Sequence, residues 1–476
     1  MKRNKLFVPL ILLAALIIIL LRPTQRGLEE KIREKIAEVK GVHLVFSQWW
    51  EDDVEKSVLQ SIVEEFEEAH PGISVELDFR SYQEIRSLAF TGKALENAGE
   101  GASGAESDRN DTANPPSKAI DIIAVDPVWV YDLAGGNRLE PLGGYMKRSE
   151  PDTAGEDASP DDPSLQDAAT DYTQWTLPLV SFMYPLFYNI DLLKNAGFNR
   201  PPKTWSEFSV YAQAVNNPAA GRFGTAFALS PENPYALFGD IFPWIWASGI
   251  LFYRNEEPHF SGRALTETLE YLSLLFEDGL VSPGSFSKNN DQKLDEFTKG
   301  RIALMTASIK DMDSIREAMG STFGITTIPV PDMYAGKPVF GISGWSVGIL
   351  RQSPSKDEAW TFISFLAGRN AALAGGMVPG NGSRSNTGSP GDELYAKAWD
   401  MYEAADGVEE FAGKPRVLEL EAVVREELEA LFAGPFQNAR PQESALNVGQ
   451  VTVQSTRNAE ETVTAIQKRW EAVLER

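Results

Sequence analysis

The sequence contains two adjacent tryptophans, Trp49 and Trp50, whose large side chains cannot both be explained as packing on a single core face. They lie in the stretch HLVFSQWWEDD, where an apolar run of strand character ends in a polar pair, the two indole rings and three acids. Neighbouring side chains on a strand point to opposite faces, so one core face cannot bury both rings. If the strand continues through them, we expect one ring to pack on its own domain and the other to face a cleft.

The residue pattern does not indicate a metal site or a catalytic cysteine. The chain has no cysteine, and its three histidines, His43, His70 and His259, are far apart without the spacing typical of metal ligands. Carboxylates are abundant, but no motif singles out the pair that glycoside hydrolysis requires. We therefore expect no metal and no cofactor.

The overall composition is that of a globular protein with an acidic balance of charge. Of the 476 residues, 43% are hydrophobic and 24% are charged, and the formal net charge is -24. This length is sufficient for two or three lobes with a sizeable core. The negative charge argues against nucleic acid as a partner, because nucleic-acid binding needs basic surface.

The N-terminus has the pattern of a membrane segment. Residues 1–5 are basic, and the sixteen residues 6–21 form an apolar run. As a helix this run is roughly 24 Å long, and no small-residue cleavage pattern follows it. We expect 1–27 to be an uncleaved membrane anchor with its N-terminus inside, with a cleaved signal as the alternative. We predict a helical spacer over 28–40 and an extracytoplasmic location, in the periplasm or at the cell surface, for the rest.

Strand and helix patterns alternate along most of the chain. The run 43–47 predicts a strand, 54–66 an amphipathic helix and 73–79 a strand of period two, which together make a βαβ unit. The near-continuous apolar run 119–125 is typical of a strand buried on both faces. The last hundred residues are mostly of helical character, for example 417–432. The fold class is therefore α/β with more than one sheet.

Other segments mark further elements and two insertions. The apolar stretch 177–189 predicts buried strand, and Thr204 starts a capped helix that runs to Val215. Residues 97–117 and 147–170 are rich in Gly, Ala, Ser, Asp, Glu and Pro, so we expect mobile surface insertions there.

Several segments in order then resemble one family. They include SQWW after the first strand, FEEAHPGISVEL, DIIAVDPVWVYDLAGGNRLEPL, YPLFYNIDLLKNAGFNRPPKTWSEF, FTKGRIALM and FGITTIPVPDMYAGKPVFGISGWSVGI. Over roughly 42–372 the chain resembles the extracellular solute-binding proteins of family 1, the sugar-binding subunits of ABC importers.

The resemblance implies a two-lobed, periplasmic-binding-protein-like fold with hinge crossovers and a ligand cleft between the lobes. It implies a first lobe at 41–177 plus 337–378, and a second lobe at 178–336 plus 379–476 that includes C-terminal helices. It implies no enzyme activity, but capture of a sugar by closure of a monomer and its delivery to ABC permease subunits. The alternatives are a carbohydrate-active enzyme and a sensor subunit that presents its ligand to a membrane receptor.

The candidate site residues are chosen from the chemistry of sugar recognition. Aromatic rings stack on the apolar C–H faces of a pyranose, while carboxylates, amides and Arg bind its hydroxyls. In open α/β sheets, ligands lie beyond the carboxyl ends of the strands. The candidate ligand-binding residues are Gln48, Trp49, Trp50, Asp126, Ser181, Phe182, Asn233, Tyr235, Trp246, Ser308, Gly344, Trp345 and Arg384.

For several candidates a structural role is the alternative. Asp126 can instead cap a helix that starts at Pro127. Phe182 can pack within its own strand, and Tyr235 on its own lobe. Arg384 can be a solvated loop charge.

The tryptophans differ in what is expected of them. Trp345 is the first choice for a ligand contact, because the small Gly344 beside it permits close approach. Of Trp244 and Trp246, one is expected to pack in the core and one to reach the cleft. Trp205, in the first turn of a capped helix, is expected to be structural.

Overall fold

The computed structural model describes residues 41–50, 56–92, 119–149, 175–231, 233, 236–254, 257–337, 339–369, 378–379, 393–404, 406–408, 411, 413–433 and 458–475. The predicted anchor, spacer and first insertion lie outside these residues, as do Tyr235, Arg384 and most of the second insertion. Residues 147–149 of that insertion instead end a helix, Gly143–Ser149. Within the described residues, no helix has the length and apolar character needed to cross a membrane.

The described elements alternate as the sequence indicates. The strands are β1 Val42–Gln48, β2 Ile73–Phe79, β3 Ile122–Val125, β4 Leu177–Met183, β5 Leu186–Asn189, β6 Phe223–Thr225, β7 Tyr253–Arg254, β8 Glu257–Pro258, β9 Ile302–Thr306, β10 Phe323–Thr326, β11 Val339–Ile349, β12 Val378–Pro379 and β13 Asp406–Val408. The helices are α1 Lys56–Ala69, α2 Tyr82–Thr91, α3 Val130–Gly135, α4 Gly143–Ser149, α5 Ile190–Asn195, α6 Trp205–Val215, α7 Ala236–Asp240, α8 Phe242–Ala247, α9 Arg263–Glu277, α10 Asn290–Thr298, α11 Met312–Met319, α12 Lys356–Ala367, α13 Glu393–Ala404, α14 Val417–Phe432 and α15 Ala459–Leu474.

The first elements form the predicted βαβ unit. Strands β1 and β2 pair in parallel, with Val42 opposite Ile73, and β3 joins the other side of β1 in the same direction. Helix α1 connects β1 to β2 and buries the apolar face of its 3.6-residue period, Leu59, Ile62, Val63 and Phe66. Burial of each such side chain contributes about 1.5–3 kcal/mol, which holds the helix to the sheet.

Strand β11 gives the first sheet its mixed direction. Across the described residues the sheet order is β12-β4-β11-β3-β1-β2, and β13 pairs with the start of β11. β11 runs antiparallel to β3 and β4, with Ser346 opposite Val125 and Gly344 opposite Ser181. Because of this direction, the first half of β11 passes the carboxyl edge of β1 and β3, the edge where α/β sheets bind ligands.

A second sheet, of order β10-β5-β9-β6 in the described part of the chain, belongs to the other lobe. Met183 still pairs with β11, whereas Leu186 already pairs with β9. The chain thus changes lobes at Tyr184 and Pro185. The boundary expected after Leu177 is corrected accordingly, because all of β4 belongs to the first sheet.

Helix α14 contacts both lobes. It forms over the residues predicted, and its Phe432 ring stacks on Phe276 of α9 in the second lobe, with centroids 4.5 Å apart. Directly before the helix, the backbone N–H of Arg416 donates to the Asp132 carboxylate of the first lobe, at 3.1 Å. The C-terminal region therefore bridges the lobes instead of belonging to the second lobe alone.

A buried ion pair holds the second lobe together. Lys293 of α10 donates to Asp240 of α7 at 2.5 Å and to the Thr306 carbonyl of β9 at 2.7 Å. The side chains of Lys293 and Asp240 are 3% and 1% exposed. The other Asp240 oxygen accepts the backbone N–H of Ala228, at 2.5 Å. One charged pair thus links two helices, a strand and the loop that follows β6.

We predict that Lys293→Met lowers the free energy of unfolding by about 3–5 kcal/mol, because it leaves the Asp240 carboxylate buried without its partner. Lys299→Met is the matched control, since the Lys299–Asp295 pair is exposed and such pairs contribute about 1 kcal/mol or less. Urea unfolding followed by circular dichroism measures both. Equal stability of the two variants would contradict the prediction.

Candidate functional site

Strand β1 ends at Gln48, directly before the paired tryptophans. The Gln48 Oε1 accepts a hydrogen bond from the backbone N–H of Trp50, so the chain turns at once. The Trp49 and Trp50 rings lie against each other with centroids 6.0 Å apart, and they are 8% and 1% exposed. The strand stops before the two rings, so the condition for one lobe-facing and one cleft-facing ring is not met, and a ligand contact of either ring stays a prediction.

Trp345 of β11 packs on this pair. Its ring stacks on Trp50 with centroids 5.5 Å apart and planes at 22°, and Phe182 of β4 meets it edge-on at 5.8 Å. Trp345 is 1% exposed. The β11 strand thus brings Trp345 to the carboxyl edge of β1, as its antiparallel direction requires.

Asp126 follows β3 at the same edge. Its Oδ1 accepts the backbone N–H of Val128 at 3.1 Å, which caps the short 3-10 helix Pro127–Trp129, and its Oδ2 accepts the Tyr82 hydroxyl at 2.9 Å. The predicted capping role is confirmed, while contact with a ligand stays a prediction. Burial raises the pKa of Tyr82 well above its ordinary value, and the negative charge of Asp126 adds to the rise.

Tyr82 and Trp129 extend the aromatic packing. The Tyr82 ring is 5.3 Å from the Trp49 ring and 4.9 Å from the Trp129 ring, centroid to centroid. We call this set of rings the edge cluster: Trp49, Trp50, Tyr82, Trp129, Phe182 and Trp345.

Four buried donors in and beside the edge cluster have no acceptor within the described residues. They are the Nε2 amide of Gln48 and the indole N–H groups of Trp50, Trp129 and Trp345. A buried donor without an acceptor costs about 1–3 kcal/mol, so each such group requires a functional or structural reason. A ligand rich in hydroxyl oxygens supplies acceptors of the right kind.

Helix α14 brings a charged pair to the edge cluster. Glu421 accepts from Arg425 at 2.7 Å and from the backbone N–H of Leu237, and Arg425 donates to the Leu229 carbonyl at 2.6 Å. Burial raises the pKa of Glu421, against the opposing charges of Arg425 and Arg86. Both backbone hydrogen-bond partners, Leu237 and Leu229, belong to the second lobe, and α14 also contacts the 3-10 helix Pro127–Trp129 of the first lobe, so the helix that carries the pair lies between the lobes.

Among the second-lobe candidates, Trp246 reaches the boundary and Trp244 does not. The Trp246 ring lies over Gly341 of β11, where an added Cβ would be 2.1 Å from the ring. Trp244 packs on Phe208 at 4.9 Å inside its own lobe. Trp244 thus packs in the core of its lobe and Trp246 lies at the start of β11, while a ligand contact of Trp246 stays a prediction.

Asn233 and Ser308 both stabilise turns. The Asn233 amide donates to the Ala228 carbonyl at 2.9 Å, and the Ser308 hydroxyl accepts the backbone N–H of Lys310 at 3.3 Å. The N–H of the residue before Ser308 donates to the Pro185 carbonyl, which places Ser308 beside the first crossover. A ligand contact of either residue stays a prediction.

Gly344 has a structural role in the first sheet. A Cβ on Gly344 would lie 2.3 Å from the Val180 carbonyl oxygen on β4. The missing side chain of Gly344 therefore lets β4 approach β11 closely. It does not open space for a ligand beside Trp345, as the sequence had suggested. Ser181 lies opposite Gly344 in the same strand pair and is only partly buried, whereas Phe182 is packed within the edge cluster.

Four residues at the site were missed from the sequence. Tyr82 and Trp129 each lie a few residues after a strand, so the rule that selected Gln48 and Asp126 would have found them. Glu421 and Arg425 lie on a helix far along the chain. Nothing in their local pattern distinguishes them from solvated helix charges.

With this geometry in place, the comparison with known families is decisive. Residues 51–372 match the model of the bacterial extracellular solute-binding proteins. The chain belongs to this family. Membership confirms the resemblance carried by the sequence segments, and it places this solute-binding protein outside the cytoplasm.

Solved structures confirm the predicted two-lobed α/β fold of the solute-binding protein. An ABC substrate-binding protein from Listeria monocytogenes, in complex with cycloalternan, has a TM-score of 0.64 at 14% identity and covers 91% of this chain and 99% of its own. A cyclic alpha-maltosyl-1,6-maltose binding protein from Arthrobacter globiformis has a TM-score of 0.63 at 18% identity, with the same coverage.

Sequence relatives match over a shorter length. A protein of Brucella abortus (strain 2308), named as a binding protein, is 26% identical over 252 residues, which are 52% of this chain and 58% of that protein. The chain thus spans about half the length of the curated relatives it matches, from 44% to 58%.

The raised pKa of Glu421 predicts a pH effect on stability. Between the ordinary value of 4.5 and the higher folded-state pKa, the folded protein binds more protons than the unfolded chain, so this residue makes stability fall as pH rises. We expect the stability of Glu421→Gln relative to wild type to increase as pH rises above 4.5. Urea unfolding across this range measures it. A difference that does not change with pH would contradict the assignment.

Proposed function

We propose that this solute-binding protein captures a sugar or oligosaccharide by closure of its two lobes and delivers it to an ABC permease. The observation that carries the proposal is the set of four buried, unsatisfied donors among stacked rings at the lobe boundary. Aromatic faces suit the C–H faces of a pyranose, and the donors suit its hydroxyls. The solved relatives described in complex with cycloalternan, or as binding a cyclic maltosyl-maltose, support the same ligand class.

Closure is the step that links binding to delivery. The crossover at Tyr184–Pro185 and the return between β10 and β11 connect the lobes, and the edge cluster lies beside both. A ligand that contacts both lobes stabilises the closed state more than the open one, and it shifts the equilibrium by that difference. The first lobe supplies the aromatic floor, and α8 and α14 supply Trp246, Glu421 and Arg425 from the opposite side.

The remaining parts of the proposal concern attachment and chemistry. Residues 1–27 hold the protein to the cytoplasmic membrane, which raises its effective concentration near the permease. The protein acts as a monomer and does no covalent chemistry. Permease subunits recognise the closed form.

Calorimetric titration of the full chain with mono- and oligosaccharides tests the proposed ligand class. We expect saturable binding of at least one sugar, with a decrease in the radius of gyration in small-angle scattering as the lobes close. The sugar recovered after incubation should be unchanged. Hydrolysis of the sugar would contradict a binding-only function, and the absence of binding across a broad panel would contradict the ligand class.

Asp126→Asn tests the site. We expect affinity for that sugar to fall about tenfold, which corresponds to about 1.4 kcal/mol, because an amide replaces a carboxylate acceptor while Oδ1 can still cap the 3-10 helix. Asp191→Asn, at an exposed position in the first turn of α5, is the matched control and should bind normally. Unchanged affinity of Asp126→Asn would limit Asp126 to capping.

A further inference from the structure

A cavity of about 400 Å³ lies between α2 and the start of α14, outside the edge cluster. This volume is within the range of small-molecule sites, about 300–1,000 Å³. The side chains that matter for its chemistry are Gln83, Arg86, Phe90, Asp132, Arg416 and Glu419. They come from α2, from α3 and from the N-cap and first turn of α14.

Some charged side chains of the cavity are hydrogen-bonded to protein groups, and others are not. The guanidinium of Arg416 binds Glu419 through two hydrogen bonds, at 2.8 and 2.7 Å, and its backbone N–H donates to Asp132 Oδ1. In the described part of the chain, the half-buried guanidinium of Arg86 makes no hydrogen bond, and neither does Asp132 Oδ2. The cavity therefore offers a cationic donor and a carboxylate acceptor, and burial raises the pKa of Asp132.

Aromatic contacts connect the cavity to the edge cluster. Phe90, which lines the cavity, meets the Trp129 ring at 6.2 Å, and Trp129 in turn packs on Tyr82. Arg86 lies one helical turn after Tyr82 on α2, and its charge acts on both Tyr82 and Glu421. Tyr82 of the edge cluster and Arg86 of the cavity thus lie on the same face of α2, one helical turn apart.

We propose that this cavity is an outer subsite that holds the end residue of a neutral oligosaccharide whose other residues lie in the cleft. The inference rests on the proposed function and adds the length and charge of the ligand. Arg86 and Gln83 donate to hydroxyls, Asp132 accepts from one, and Phe90 contacts a C–H face. The charged side chains of the lining are two arginines, Arg86 and Arg416, and two carboxylates, Asp132 and Glu419, so their charges balance and a neutral sugar fits the cavity better than an acidic one.

Two variants with matched controls test the subsite. Arg86→Met removes the donor, and Gln83→Trp fills the exposed mouth of the cavity. Arg263→Met and Gln213→Trp make the same changes on exposed helix positions of the second lobe. Thermal melts check that all four variants fold as the wild type does.

The probes are glucose and its α-1,4 and β-1,4 oligomers up to the tetrasaccharide, each with a counterpart that ends in glucuronate, titrated calorimetrically into the full chain. We expect wild-type affinity to rise with length. Arg86→Met and Gln83→Trp should lose about tenfold for the longest bound oligomer and nothing for the shortest. The two controls should bind every length as wild type does.

The outcomes separate the subsite from the proposed function. If wild type binds no sugar, both fail. If wild type binds but the two cavity variants bind every length normally, or lose affinity equally for all lengths, the subsite alone is overturned. Tighter binding of glucuronate-ended oligomers that Arg86→Met abolishes would overturn the neutral ligand.

Discussion

The insertion of β11 between β3 and β4 is the constraint on which the site depends. The chain leaves the first sheet after Met183, builds the second lobe and must return to the same sheet. It returns antiparallel to β3, so residues early in β11 pass the carboxyl edge of the parallel strands. This direction brings Trp345 onto Trp50 and Gly341 under Trp246. Strand β11 thus belongs to the sheet of the first lobe and also contacts the second lobe.

The lobe boundary keeps polar groups that a core would exclude. Buried indole and amide donors without acceptors reduce stability, and four of them lie here beside an acid whose pKa is raised by burial. In the second lobe, by contrast, Lys293 and Asp240 are equally buried but bond to each other and to backbone groups. This ion pair is satisfied within one lobe, whereas the four donors at the boundary have no acceptor among the described residues.

Local sequence patterns predicted the elements and part of the site. Strands β1 and β2, helix α14 and the Thr204 cap were predictable because period and capping chemistry act over a few residues. Asp126 and the tryptophan pair were found because polar and aromatic residues followed strands. The packing of the Trp49 and Trp50 rings was not predictable, since it depends on the residue at which β1 ends. Gly344 was misjudged because its neighbour on the next strand is distant in sequence.

By itself, the sequence determined the α/β class, the parallel βαβ start, the family and the acidic balance that argues against nucleic acid. Each follows from periodicity, composition or ordered segments, which need no knowledge of distant contacts. Only the tertiary structure decided that β4 belongs to the first sheet, that Glu421 and Arg425 lie at the lobe boundary, and that both tryptophans share one cluster. These depend on register and helix packing between residues far apart in the chain, and local pattern carries no information about either.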